Sequence, residues 1–151
     1  MTQTLRVDRK STSGFVFQVG KASVSWASRK QACVTTSTME AEYVALSEAA
    51  QEAIWLRRLL DELGHFQSSP TIINEDNLSC ISFVQLEQQN KRSKHIDTRV
   101  YHAKDLCGRG VILLQHCASN NMVAVVLTKA LGPIQMQRFA SMLGMRSTTF
   151  Q

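Results

Sequence analysis

The stretch FVFQVGKASVSWA, residues 15–27, decides the fold class. Large apolar and polar side chains alternate over residues 15–19, Gly20 and Lys21 supply a turn, and the alternation resumes over residues 22–27. A period of two on both sides of a turn is the pattern of a β-hairpin. Arg29 and Lys30 follow as a basic stretch, and Thr36, Ser37 and Thr38 then offer caps for a long helix, with Ser37 and Glu40 at capping-box spacing. That helix is expected to run to about Leu63 and to stop at Gly64. Pro70 precedes a short apolar strand over residues 71–74, and Asp76 opens a helix over roughly residues 77–88. A polar, basic connector, QLEQQNKRSK, leads to a helix over residues 96–106 stopped by Gly108 and Gly110, and residues 111–117 read as a strand. A last helical region begins near Val123, breaks at Gly132 and Pro133, and resumes to Leu143. The order of hairpin, helix, strand, helix, helix, strand, helix predicts a mixed α/β layer with helices covering a sheet.

Length and composition set the outer bounds. At 151 residues, with 44% hydrophobic and 19% charged residues, the chain fits one ordinary globular domain without repeats or low-complexity tracts. Its apolar runs are far shorter than the roughly 20 residues of a membrane span, and MTQTLRVDRK has no apolar signal core, so an intracellular protein is expected. Cys33, Cys80, Cys107 and Cys117 lack CxxC spacing, which argues for reduced structural thiols rather than zinc. The net charge of +5 allows a polyanionic partner without demanding one.

Two carboxylates stand in unusual places. The apolar seam of the long helix runs through Met39, Leu46, Ala49, Ala53, Leu56, Leu60 and Leu63, and Glu42 falls on that seam, whereas Glu48 and Glu52 are read as facing outward. An acid on a core-facing stripe either sits at the rim, where a helix start favours negative charge, or serves a site. Asp76 lies where a strand ends and a helix begins, a place where open α/β sheets build sites, although a plain N-cap is the simpler reading. Projected toward one point, Glu42 and Asp76 offer hard oxygen ligands that suit Mg²⁺ or Mn²⁺ better than zinc, and paired ions suit phosphodiester cleavage.

The segments STSGFVF, SVSWASRKQACVTTSTMEAEYVALSEAAQEAIWLRRLLDELG, INEDN, RSKHIDTRVYHAKDL and LTKAL resemble the ribonuclease H domain of copia-type retrotransposon polyproteins, from Asp8 to Met145. The resemblance implies a ribonuclease H-like mixed sheet of five strands, the first three antiparallel, flanked by helices. The activity it implies is cutting the RNA strand of an RNA–DNA hybrid with two divalent ions held by four acids. Glu42, in AEY, matches the second of these acids, and Asp76, in the DN pair, matches the third. The first belongs to a strand ahead of DRKSTSG that this sequence does not contain; MTQTLRV could extend as a replacement edge strand but carries no acid, and Asp8 reads as a turn residue. The fourth belongs to an AD..TK motif, and here Val125 occupies its place. Two of four ligands are thus absent, and a valine offers no oxygen to Mg²⁺. The expectation is a domain that keeps the fold and loses useful catalysis, with residual metal-dependent cleavage as the alternative.

A binding module for RNA–DNA hybrid or other nucleic acid is a further reading, resting on Arg29, Lys30, Lys91, Arg92 and Lys94, with Ser37 and Asn77 near the acids. These groups equally fit solvated faces. His95 and Asp97, two residues apart, do not face each other on a helix, and His116 and Cys117 point to opposite faces of a strand. Trp26 and Trp55 read as core or sheet-packing residues. A structural or interaction domain is the third reading, because an unpaired hairpin edge invites self-association.

Overall fold

The computed structural model describes residues 11–31, 38–85 and 98–146. The alternating stretch forms the predicted hairpin, in which β1 (Thr12–Val19) pairs antiparallel with β2 (Ala22–Lys30). Gly20 sits at φ +63°, a left-handed conformation that costs glycine no Cβ clash. The register shifts between Phe17 and Gln18, a bulge just before the turn. Strand alternation sends Phe15 and Phe17 into the main core, while Gly14 faces the opposite side of the hairpin.

The long helix, α1 (Thr38–Glu62), packs beneath β1. Leu46, Ala49 and Ala53 of the predicted seam are buried, and Ala50 joins them, so small side chains let the strands approach the helix closely. Leu63 departs from the prediction: it lies past the helix end and is 64% exposed, next to Gly64 at φ +81°. A second pair of strands, β3 (Thr71–Glu75) and β4 (Ile112–His116), runs parallel with Ile73 opposite Leu114. Two helices lie between them in sequence, α2 (Leu78–Gln85) and α3 (Thr98–Gly108), and they bury Cys80, Ile81, Val84, Ala103 and Leu106 in the same core.

The mixed α/β class is as predicted, and the described strands do not form one continuous sheet. Among the described residues four strands form two separate two-stranded sheets, β1–β2 and β3–β4, in place of the five-stranded sheet that the resemblance implied. Among the described residues no hydrogen-bond ladder joins the two sheets. The segment MTQTLRV, Asp8 and the Ser37 cap fall outside the described residues.

The C-terminal region covers the other face of the hairpin. Residues Val123–Leu127 form a single 3-10 turn rather than the start of an α-helix, in keeping with the low helix propensity of three valines in five residues. The helix proper, α4 (Pro133–Met142), begins after Gly132 with Pro133 in its first turn, as the break predicted. The 3-10 turn is pinned to the hairpin, where the Ser28 hydroxyl donates to the Leu127 carbonyl at 2.6 Å. The end of α4 returns to the hairpin tip, where Gln18 Nε2 donates to the Met142 carbonyl at 2.8 Å and Ser23 Oγ to that of Leu143 at 3.0 Å. Trp26 and Trp55 correct the core reading: they are 63% and 54% exposed, one on the uncovered part of β2 and one on the solvent side of α1. Indole size alone does not bury a side chain on an edge strand.

Gly14 is the point at which the two layers touch. A Cβ there would lie 2.8 Å from Thr128 Cγ2 and 3.0 Å from Leu127 Cβ. Gly14→Ala is therefore expected to lower stability by about 1–3 kcal/mol through overpacking, read as a lower midpoint in urea unfolding. An unchanged midpoint would show that the 3-10 turn does not rest on the hairpin.

Candidate functional site

The N-terminal part of α1 is tied to the open end of the hairpin by one buried amide. Gln31 Nε2 donates to Ser13 Oγ at 2.8 Å and to the Ala41 carbonyl at 2.9 Å, so β1, β2 and α1 meet one residue before Glu42. From the other side, β3 ends at Glu75 and turns into α2 through Asp76 and Asn77. One carboxylate oxygen from each of Glu42, Glu75 and Asp76 lies within 4.8 Å of the others.

Asn77 is the residue that caps α2. Its Oδ1 accepts from the Cys80 backbone N–H at 3.1 Å, a cap bond that satisfies one of the helix's open donors. The simpler reading of Asp76 as an N-cap is thereby set aside, and its carboxylate is left to face the other two acids. Asp76 Oδ2 accepts from Ser119 Oγ at 2.8 Å, which ties the loop after β4 to the cluster. Asn77 was a candidate nucleic-acid contact, but its side-chain oxygen is occupied by the cap.

Glu75 is the site residue that the sequence reading missed. It is only 7% exposed, and its Oε1 accepts the Asn77 backbone N–H at 3.0 Å. Burial is the main force on its carboxyl, which is pushed up to about 7; the neighbouring Glu42 and Asp76 charges push the same way, while the bonds from the backbone of Asn77 and Asp76 oppose them. Burial also raises Glu42, with a smaller contribution from Asp76. Beneath the acids, the fully buried Cys80 thiol is pushed up to about 12 by burial and by the charges of Glu75 and Glu42. The signal for Glu75 was present in the strand period: Ile73 and Glu75 are two apart and share the inward face once the strand is carried one residue past Asn74.

Three carboxylates converging without a histidine or thiolate make a hard oxygen donor set of the kind that suits Mg²⁺ or Mn²⁺. A divalent cation among them would oppose the burial and the charge repulsion that together raise the Glu75 carboxyl. The residues present fit one ion.

The other candidates fall in different places. Val125 is half-buried in the 3-10 turn, where its carbonyl accepts from the N–H groups of Thr128 at 3.1 Å and Lys129 at 3.2 Å. It adds an isopropyl group and no ligand oxygen. Arg29 and Lys30 lie exposed at the open end of the hairpin, next to the Gln31 amide that anchors the residue before Glu42. Ser37, Lys91, Arg92, Lys94, His95 and Asp97 lie outside the described residues. Glu48 and Glu52 are not simply outward as read. Glu52 Oε1 accepts from Ser25 Oγ at 2.6 Å, and Glu48 Oε2 is shut off from solvent without a described partner.

Among known proteins, the chain is 33% identical over 140 residues to the retrovirus-related Pol polyprotein from transposon TNT 1-94 of Nicotiana tabacum, an alignment covering 93% of this chain and 10% of that polyprotein. It is 31% identical over 137 residues to the corresponding polyproteins from transposons RE1 and RE2 of Arabidopsis thaliana, covering 91% of this chain and 9% of each. The chain thus spans about a tenth of the length of these relatives. No family model matches it, and no solved structure matches it.

The burial of Glu75 sets a pH dependence with a definite sign. Its folded pKa of about 7 lies above the ordinary 4.5, so its effect on stability is absent below about pH 4.5 and grows unfavourable as pH rises toward 7. Glu75→Gln keeps an acceptor for the Asn77 N–H and removes the charge. In metal-free buffer it is expected to raise stability at pH 8 by at most about 3 kcal/mol, and by close to nothing at pH 4.5, in urea unfolding. Equal gains at both pH values would contradict a buried, charge-crowded Glu75.

Proposed function

The chain belongs to the Pol polyproteins of copia-type retrotransposons, and we propose that it is a degenerate ribonuclease H-like domain, descended from a nuclease cutting the RNA strand of RNA–DNA hybrids and now essentially without catalysis. The observation that carries this reading is a three-carboxylate cluster that contains only two of the four acids the resemblance implies, Glu42 and Asp76. Glu42, Glu75 and Asp76 converge, while Val125 occupies the place that the resemblance gives to an acid.

Glu42 and Asp76 would hold a single Mg²⁺ or Mn²⁺, with Glu75 supplying a third oxygen once it gives up its proton. One ion supplies charge that attracts and orients a phosphodiester. Clamping both the attacking and the leaving oxygen calls for a second ion, and the donors for it are not among these three acids. The loss of even one well-placed electrostatic stabiliser costs about 10² to 10³ in rate. The nuclease reading therefore ends at binding.

Hybrid binding is the second reading, favoured by the position of Arg29 and Lys30. Both are exposed at the hairpin end that Gln31 joins to α1 one residue before Glu42, and the net charge is +5. Contacts of this kind act on phosphates without regard to sequence and weaken as salt rises.

Two measurements test the proposal. With Mn²⁺ and a labelled RNA–DNA hybrid, the protein and its Glu42→Gln variant are expected to leave the RNA strand equally intact. Cleavage that disappears in Glu42→Gln would overturn the inactive reading. In thermal unfolding at pH 7.5, millimolar Mn²⁺ is expected to raise the melting temperature of the protein and to have little effect on Glu42→Gln, because an ion that binds only the folded state stabilises it by mass action. An equal response in both would show that the acids hold no ion.

A further inference from the structure

The solvent side of α1 carries an apolar stripe. Trp55, Leu59 and Leu63 recur every four residues, so at about 100° per residue they line up along the helix, and all three are exposed. The Leu63 N–H still donates to the Leu59 carbonyl at 3.0 Å, which carries the stripe through the helix end, and Phe66 follows it, also exposed. Among the described residues, α1 packs against β1, β3, α2 and α3, and it does so through its other sides, where Leu46, Ala49, Ala50 and Ala53 enter the core. A single exposed leucine calls for no explanation, whereas several large apolar side chains in one line form the kind of patch that marks an interaction site.

Charge decides what fits the stripe. Arg58 and Glu62, one turn apart, form its margin on one side; both are exposed, and among the described residues neither is held in an ion pair. Turned end to end, this pattern matches itself. When two such helices lie antiparallel about a twofold axis at Leu59, the Trp55 of each copy meets the Leu63 and Phe66 of the other, and Leu59 meets Leu59. A twofold axis across the helices keeps the charged margin on the same side in both copies and reverses its order. Arg58 of each copy therefore lies beside Glu62 of the other, which makes two pairs of opposite sign at the rim of an apolar seam.

We propose that the exposed face of α1 is a self-association surface, on which a second copy of this chain docks antiparallel through Trp55, Leu59, Leu63 and Phe66, with Arg58 and Glu62 setting the register. The seam is small. Four apolar side chains and two ion pairs fall short of the roughly 800 Å² per partner of a standard stable complex, so the pairing is reversible, with a dissociation constant on the order of 10⁻⁵ M. Glu42 lies about 25 Å along the helix from Leu59, and the antiparallel arrangement therefore carries the two acid clusters to opposite ends of the pair. The inference rests on the outer face of α1 and stands apart from whether the acids hold an ion or the domain binds a hybrid.

Sedimentation velocity of the full chain in metal-free buffer at about 0.15 M salt, over concentrations bracketing about 10 μM, tests the pairing. A reversible monomer–dimer equilibrium is expected. Leu59→Glu sets two carboxylates against each other on the axis and is expected to weaken the dimer at least about tenfold while leaving the helical circular dichroism unchanged. Arg58→Glu alone and Glu62→Arg alone each oppose like charges across the seam and are expected to weaken it severalfold; the double variant restores opposite signs and is expected to recover the parent affinity. In a Trp26→Phe background, Trp55 is the one remaining indole, and its emission is expected to move to shorter wavelength as the dimer forms. A monomer throughout that range overturns the proposal, including a monomer whose own residues cover the stripe. So does a dimer indifferent to Leu59→Glu, or a double variant as weak as the single ones.

Discussion

Both two-stranded sheets rest on α1, and among the described residues neither bonds to the other. What unites them is apolar contact: Phe15 from β1, Ile73 from β3 and Ile112 and Leu114 from β4 join Leu46, Ala49, Ala50 and Ala53 of α1 in one buried cluster. Hydrophobic burial is non-directional, so it can hold two sheet fragments over a common helix without fixing a hydrogen-bond register between them. The small alanines allow that approach, and substitution by larger side chains there would pry both sheets off together. The same arrangement sets the start of α1 beside the end of β3.

Electrostatics runs against packing at that meeting point. Folding places the Glu75 carboxyl in the core beside two other acids, and only the backbone N–H groups that follow it offset the cost of an ionised form. A fold has no structural use for such crowding, since an apolar residue at the end of β3 would pack there without repulsion. Sites that hold cations are where such local conflicts are found. The valine at position 125 carries no such conflict: its carbonyl closes the 3-10 turn and its side chain is half-buried.

Much of this was legible in the residues. Alternation on both sides of Gly20 gave the hairpin, the seam of α1 gave its buried face from Leu46 to Ala53, and an acid on that seam pointed to Glu42. Asp76 stayed ambiguous because strand ends and helix caps favour the same residue types, and only the Asn77 cap bond separates the two roles. Glu75 was lost because the strand was ended at Asn74, one residue short, so its place on the inward face with Ile73 went unread. The exposure of Trp26 and the division of the sheet are tertiary facts: they depend on which neighbours exist, and local pattern carries no information on that.

The central claim is the proposal that Glu42, Glu75 and Asp76 hold one ion, the described residues offering no second cluster of donors. Electron paramagnetic resonance of the protein titrated with Mn²⁺ at pH 7.5 reads this directly. The account predicts that the six-line signal of free Mn²⁺ is attenuated by one bound ion per chain, and that this attenuation is lost in Glu42→Gln. Two ions per chain with the spectrum of a coupled pair, or binding that survives in Glu42→Gln, would contradict it.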